Sequence, residues 1–219
     1  MKLENKRVAF LGDSITEGAG ASSAEKKYVR RVKELAGLKD ALNYGISGTR
    51  IALKKTPSAV AKFDQDFISR VPAMEADVDA VVVFGGTNDF GHGDAPLGEF
   101  GDTENTTFYG ACHMLMKLLI EKYPSIPIVF ITPLHRLNED TLINGIGLER
   151  KPLCDFVSAI RETAERFSIP VLDLYAASGM SVEPECQNKL YFFDGLHPND
   201  LGHERIARLL IHFFEKEIL

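Results

Sequence analysis

Four short segments of this chain carry residue types that nucleophilic chemistry needs. They are Gly12-Asp13-Ser14-Ile15, Asn43 to Gly48, Gly85-Gly86-Thr87-Asn88-Asp89 and Asp194-Gly195-Leu196-His197-Pro198. The last is the most specific. A carboxylate three residues ahead of an imidazole can accept from one ring nitrogen and leave the other free as a general base. Ser14 offers a hydroxyl, which is a weak nucleophile until such a base takes its proton. Gly48 could aim a backbone N–H at a substrate, and Asn88 could add a side-chain N–H for a developing oxyanion. Each segment alone has a plainer reading. Ser14 could cap a helix, Gly48 could serve a turn, and Gly85 to Asp89 could be turn chemistry.

Other chemistries fit the same residues less well. Neither the phosphate loop G-x-x-x-x-G-K-[ST] nor G-x-G-x-x-G occurs, and the G-x-S-x-G elbow is missing. Asp194, His197 and His203 could bind a metal, but no further spacing typical of zinc accompanies them, so neither a metal nor a cofactor is expected. Phosphoryl acceptance at Asp13 would need an acidic cluster, and only Glu17 stands near it in sequence.

Elements able to position these residues follow from short apolar runs alternating with longer amphipathic ones. Strands are expected at 7–11, 41–44, 80–84, 128–132 and 170–174. Two of these, Val81 to Phe84 and Ile128 to Ile131, are continuously apolar, as parallel strands covered on both faces are. Helices are expected at 25–37, 57–71, 106–123, 150–167 and 200–217, the last with Leu201, Ile206, Leu209, Leu210 and Phe213 on its buried face. This alternation predicts an α/β fold, a three-layer α/β/α sandwich on a parallel five-stranded sheet. With no repeat or linker, residues 1–219 are read as one domain.

Three of the four segments then follow strand C-termini, the edge where open parallel sheets bind ligands. The irregular stretches 91–103 and 133–147 follow the same edge, and the first could act as a lid. They bring His92, His135 and Arg136 within reach of a substrate. Asp13 and Asp89 are weaker substrate-contact candidates, and Asp89 could instead anchor its loop. His113, His203 and His212 fall in helical patterns and read as structural.

The four segments together resemble the blocks of the SGNH hydrolases, the GDSL esterase/lipase superfamily, from residue 12 to residue 198. Ile15 stands in place of the leucine of that motif, and Gly-Thr-Asn-Asp fits the usual third block. The resemblance implies a flavodoxin-like sheet, Ser14 as nucleophile, His197 as base and Asp194 as its partner. It also implies an oxyanion hole from Ser14, Gly48 and Asn88. The activity implied is hydrolysis of carboxylic esters by a lipase, lysophospholipase, thioesterase or carbohydrate deacetylase. Short loops beside the first two blocks favour small or short-chain esters. A binding domain retaining only the fold would have no need of Ser14, Asp194 and His197 together.

The formal net charge of −6 argues against nucleic acid and anionic membranes, which call for clustered Lys and Arg. The one basic cluster, Lys26 to Arg31, reads as the wet face of a helix. Three cysteines cannot complete a disulfide framework, and Cys112 and Cys154 are expected to be small core residues. No stretch reaches transmembrane length, and the charged start does not resemble a signal sequence. A cytoplasmic location is the simplest expectation.

Overall fold

The computed structural model describes residues 1–218. Five parallel strands form the sheet: β1 (Arg7–Gly12), β2 (Asp40–Gly45), β3 (Ala80–Phe84), β4 (Ile128–Ile131) and β5 (Val171–Leu172). Their spatial order is β2-β1-β3-β4-β5. The register sets Gly12 beside both Gly45 and Phe84, and Phe84 beside Ile131, so these strands end level.

Nine helices surround the sheet among the described residues: α1 (Ser14–Glu17), α2 (Tyr28–Ala36), α3 (Phe67–Arg70), α4 (Thr87–His92), α5 (Phe108–Lys122), α6 (Leu153–Arg166), α7 (Leu174–Ala177), α8 (Glu185–Tyr191) and α9 (Asp200–Glu217). Strand side chains alternate between faces, and every second residue enters a different core. Ala9, Leu11, Val81, Val83 and Phe130 pack against α3, α5 and α6. Val8, Phe10, Val82, Phe84, Val129 and Ile131 pack against α2 and α9. The apolar runs are continuous because both faces are covered, which confirms the three layers.

Expected and observed elements differ in instructive places. The expected helix 57–71 is mostly exposed irregular chain, with a 3₁₀ turn at Ala61–Asp64 before the four-residue α3. Asp64 ties itself to the Ser58 N–H at 2.7 Å and hydroxyl at 2.6 Å. Asp66 then caps α3 by accepting from the Ser69 N–H at 2.8 Å. These local side-chain bonds compete with helical ones, and only Asp66, Phe67, Arg70 and Val71 find a buried surface.

The expected helix 25–37 breaks after a 3₁₀ turn, Ala24–Lys26, and α2 ends at Gly37 in the left-handed region. On α9 the buried face is Ile206, Ala207, Leu210 and Phe214, and Leu201 is exposed. Strand β5 keeps two residues of the five expected. Cys112 is buried, but Cys154 and Cys186 are exposed, so Cys154 is not a core residue. No described helix is long and apolar enough to cross a membrane.

Candidate active site

All four sequence segments meet at the C-terminal edge of the sheet. Strand β1 ends at Gly12, and Asp13 caps α1 by accepting from the Ile15 N–H at 3.0 Å. A side chain at Gly12 would collide with Thr16 Oγ1 and stand 2.9 Å from the Phe84 carbonyl. The turn can therefore close only on glycine, and it places Ser14 at the head of α1. Ser14 Oγ lies 3.0 Å from His197 Nε2. His197 Nδ1 lies 2.8 Å from Asp194 Oδ2.

Asp194 also accepts, through Oδ1, from the N–H of His197 at 2.7 Å and of Leu196 at 3.0 Å. Desolvation pushes its pKa up, but the His197 hydrogen bonds and charge, with the Leu196 N–H, hold it below the usual carboxylate range. An ionised Asp194 accepts from Nδ1–H, so Nε2 carries the lone pair that faces the Ser14 hydroxyl.

The second and third segments leave β2 and β3 at the same edge of the sheet, level with the end of β1. Gly48 holds φ +76°, which glycine adopts without strain. Asn88 uses one amide hydrogen to bond the Thr49 carbonyl at 2.9 Å, which leaves the other free. Several braces fix this loop. Asp89 accepts from the N–H of Ile51 at 3.0 Å and of Ala52 at 2.8 Å. Glu17 accepts from the Ser47 N–H at 2.8 Å and from its hydroxyl. Arg70 donates to the carbonyls of Gly12 and Tyr44 and to Thr49 Oγ1 at 3.0 Å.

Burial marks the charges of this frame. Desolvation raises Asp13 to about 7, and it raises Asp89 to about 6 against the pull of the Ala52 and Ile51 N–H groups. The same cause lowers Arg70 to about 10. Asp13 and Asp89 are thus buried struts bonded to backbone N–H groups, and Asp89 also lines the cavity beyond α4.

The loop residues separate. His135 pairs with Glu139 at 2.8 Å and packs on Tyr175 with ring centroids 4.0 Å apart. His92 lies beside Arg50, and Arg136 beside Thr87, along the edge itself. His203 is fully buried, accepts from the Tyr28 N–H at 3.3 Å and donates to the Ala19 carbonyl at 3.0 Å. The described residues hold no group of three or more His, Cys, Asp or Glu side chains placed for a metal ion.

Sequence reasoning missed Arg50, Arg70 and Glu17. A signal existed for the arginines, since Arg50 precedes Ile51-Ala52-Leu53 and Arg70 lies between Phe67-Ile68 and Val71. A cation inside an apolar run must find buried acceptors.

A parallel α/β/α sandwich with a hydroxyl, an imidazole and a carboxylate in line at its C-terminal edge defines a hydrolase-type site. The chain belongs to the GDSL-like lipase/acylhydrolase family, whose model matches residues 10–205. It is an ester hydrolase. A crystal structure of a protein from Lactobacillus plantarum is 34% identical, with a TM-score of 0.83 and 99% of each chain covered. A possible lipase from Chitinophaga pinensis shares the fold at 23% identity and a TM-score of 0.69, covering 96% of this chain and 98% of its own. So does a two-domain esterase active on acetylated mannans, at 19% identity and a TM-score of 0.66, over 98% of this chain and 50% of its own. None of the curated proteins compared with the chain matches it.

Proposed function

We propose that the chain, as one catalytic domain, cleaves carboxylic esters by two-step acyl transfer through Ser14. His197, oriented by Asp194, takes the Ser14 proton as Oγ attacks the ester carbonyl. The N–H groups of Ser14 and Gly48 and the free amide hydrogen of Asn88 hold the oxyanion. Collapse expels the alcohol, which receives the proton from His197. Water activated by the same imidazole then attacks the acyl-enzyme, and the acid leaves as Ser14 is reprotonated.

The observation that carries this reading is the unbroken line from Ser14 Oγ to Nε2 at 3.0 Å and from Nδ1 to Asp194 at 2.8 Å. Supporting it, neither the Ser14 nor the Gly48 N–H has an acceptor among the described residues. Small or short-chain esters are the first reading, with a carbohydrate deacetylase as a special case. A lipase or thioesterase reading has its own support. A cavity of about 730 Å³ beyond α4, with Leu97, Leu142, Ile143, Leu148 and Phe156 in its lining and Asp89, Asp94, Glu149, Arg150 and Lys151 among them, could receive a longer acyl chain. Three free cysteines, two of them exposed, support a cytoplasmic location.

The test is hydrolysis of p-nitrophenyl esters from acetyl to dodecanoyl, with Ser14→Ala alongside. A rate maximum at acetyl or butyryl supports the short-chain reading, and a maximum at long chains favours the cavity. Ser14→Ala should lose about 10⁴-fold or more in kcat without unfolding. Activity above about a tenth of the parent rate in folded Ser14→Ala would remove Ser14 from the mechanism.

A further inference from the structure

The wall of the site between β3 and β4 carries positive charge that acyl transfer does not use. Arg136 leaves β4 and lies between α4 and the Asp194 turn. Its Nη1 donates to the Thr87 carbonyl at 3.1 Å and to Thr87 Oγ1 at 3.2 Å. The next residue, Leu137, gives its N–H to the Gly195 carbonyl at 2.9 Å. The carboxylates whose charge reaches Arg136 are Asp194, Asp13 and Glu139. Asp194 and Glu139 instead hold His197 and His135, each at 2.8 Å, and Asp13 caps α1.

No carboxylate comes within ion-pair distance of the Arg136 guanidinium among the described residues. Three buried side-chain nitrogens there lack a hydrogen-bond partner, and two belong to this wall: Nε of Arg136 and Nε of Arg50. Arg50 is 2% exposed and donates through Nη2 to the Phe63 carbonyl at 2.8 Å and through Nη1 to the Gly48 carbonyl at 3.0 Å. It has Asp64 as its counter-ion at 3.3 Å, so the charge without a partner is that of Arg136. Nη1 of Arg50 also stands 3.4 Å from His92 Nδ1. A guanidinium only donates, so Nδ1 accepts and the His92 proton sits on Nε2.

Burial, with the charges of Arg50, Lys54 and Arg136, lowers His92 to about 4 and keeps it neutral. From Gly48 to Arg136 the wall therefore presents donors. Nη2 of Arg136 has no partner and is not among the buried nitrogens, so it is the donor a carboxylate meets first. The buried Nε beside it completes the edge of the planar fork that takes a carboxylate in two parallel hydrogen bonds. A guanidinium largely out of water with no counter-ion is costly, and a bound carboxylate removes that cost.

We propose that this wall is a carboxylate subsite, so that the ester cleaved at Ser14 is one that also bears a carboxylate, held by Arg136 and the Nε2–H of His92. The proposal rests on the ester-hydrolase reading of Ser14 for its second half only. The subsite is tested by binding alone, in a Ser14→Ala background where turnover is absent.

The probes are the monomethyl esters of malonate, succinate and glutarate, each against its half-amide, and acetoxyacetate against acetoxyacetamide. These place the charge on the acyl side at three lengths or on the alcohol side. Calorimetric titration should show at least one acid binding about tenfold or more tighter than its amide. Adding Arg136→Gln should abolish that preference, and Arg136→Lys should retain part of it. In unmodified Arg136 protein the preference should shrink between about 20 mM and 0.5 M salt, a readout that needs no change at Arg136.

Equal affinity for acid and amide in every pair overturns the proposal. So does a preference that survives in folded Arg136→Gln, or one that salt leaves unchanged. Ser14-dependent turnover of the p-nitrophenyl esters is read separately, so a failure of the subsite and a failure of the acyl-transfer reading give different results.

Discussion

The two halves of the site are built on opposite principles. The half that supplies the base is local. Asp194, Leu196 and His197 bond to one another within a four-residue turn, and Asp194 is exposed. The half that supplies the proposed oxyanion donors is assembled from the ends of β1, β2 and β3 and cross-braced by buried Asp13, Asp89 and Arg70. A side-chain base can find its orientation by rotamer and one partner. A backbone N–H has no rotamer, so it is aimed only by fixing the chain on either side of it. That need accounts for the concentration of buried charge around Gly48 and Asn88.

The contrast can be broken at either half. Asp194→Asn should cost about 10⁴-fold in kcat, as loss of the orienting carboxylate does in such triads, because an amide in place of the carboxylate favours the wrong tautomer of His197. Its thermal midpoint should stay within a few degrees of the parent, since the turn is exposed. A large drop in midpoint would mean that the turn also supports the fold.

Arg70→Met should do the reverse in proportion. It strands the Gly12 and Tyr44 carbonyls and Thr49 Oγ1. It should lower stability in urea by about 2–4 kcal/mol, with a fall in kcat of about tenfold as the Gly48 loop loosens. Unchanged stability together with unchanged kcat would show that the frame does not depend on this brace.

The smallest effect is in the pH dependence of stability. Burial lowers His203 from 6.5 to about 4 in the folded chain. Between those values the unfolded chain binds more protons, so stability is fully present above pH 6.5 and is lost as pH falls toward 4. The contribution is at most about 3 kcal/mol. His92 acts with the same sign, and Asp13 and Asp89, raised to about 7 and about 6, act with the opposite one, so the readout is the difference between the variant and the parent. His203→Gln should lower the midpoint at neutral pH and flatten its decline from pH 6.5 to 5, while KM for a short ester stays unchanged. A decline as steep as the parent's would assign it to other groups.

Several particulars were legible in the chain because their causes are local or periodic. The alternation of apolar runs specified a parallel sheet covered on both faces, since only a doubly buried strand is apolar at every position. The i, i+3 spacing of Asp194 and His197 specified their pairing, because a tight turn can hold it without outside help. Glycine at 12 and 48 marked places where the chain must turn sharply.

Other features depended on residues far apart in sequence. The apolar spacing of 57–71 fits a helix, yet Asp64 and Asp66 draw the backbone into other bonds. Arg70 bonds carbonyls 58 and 26 residues away, and its role exists only once β1 and β2 lie side by side. Arg136 is one more surface cation in sequence. Its lack of a counter-ion is decided by where β4 ends, by Glu139 turning to His135 and by Asp194 turning to His197. Sequence by itself determined which groups can do the chemistry, because reactivity belongs to residue types and short spacings. Tertiary structure alone decided which charges are buried, braced or left without a partner, because desolvation and Coulomb energy depend on neighbours that the chain brings together only by folding.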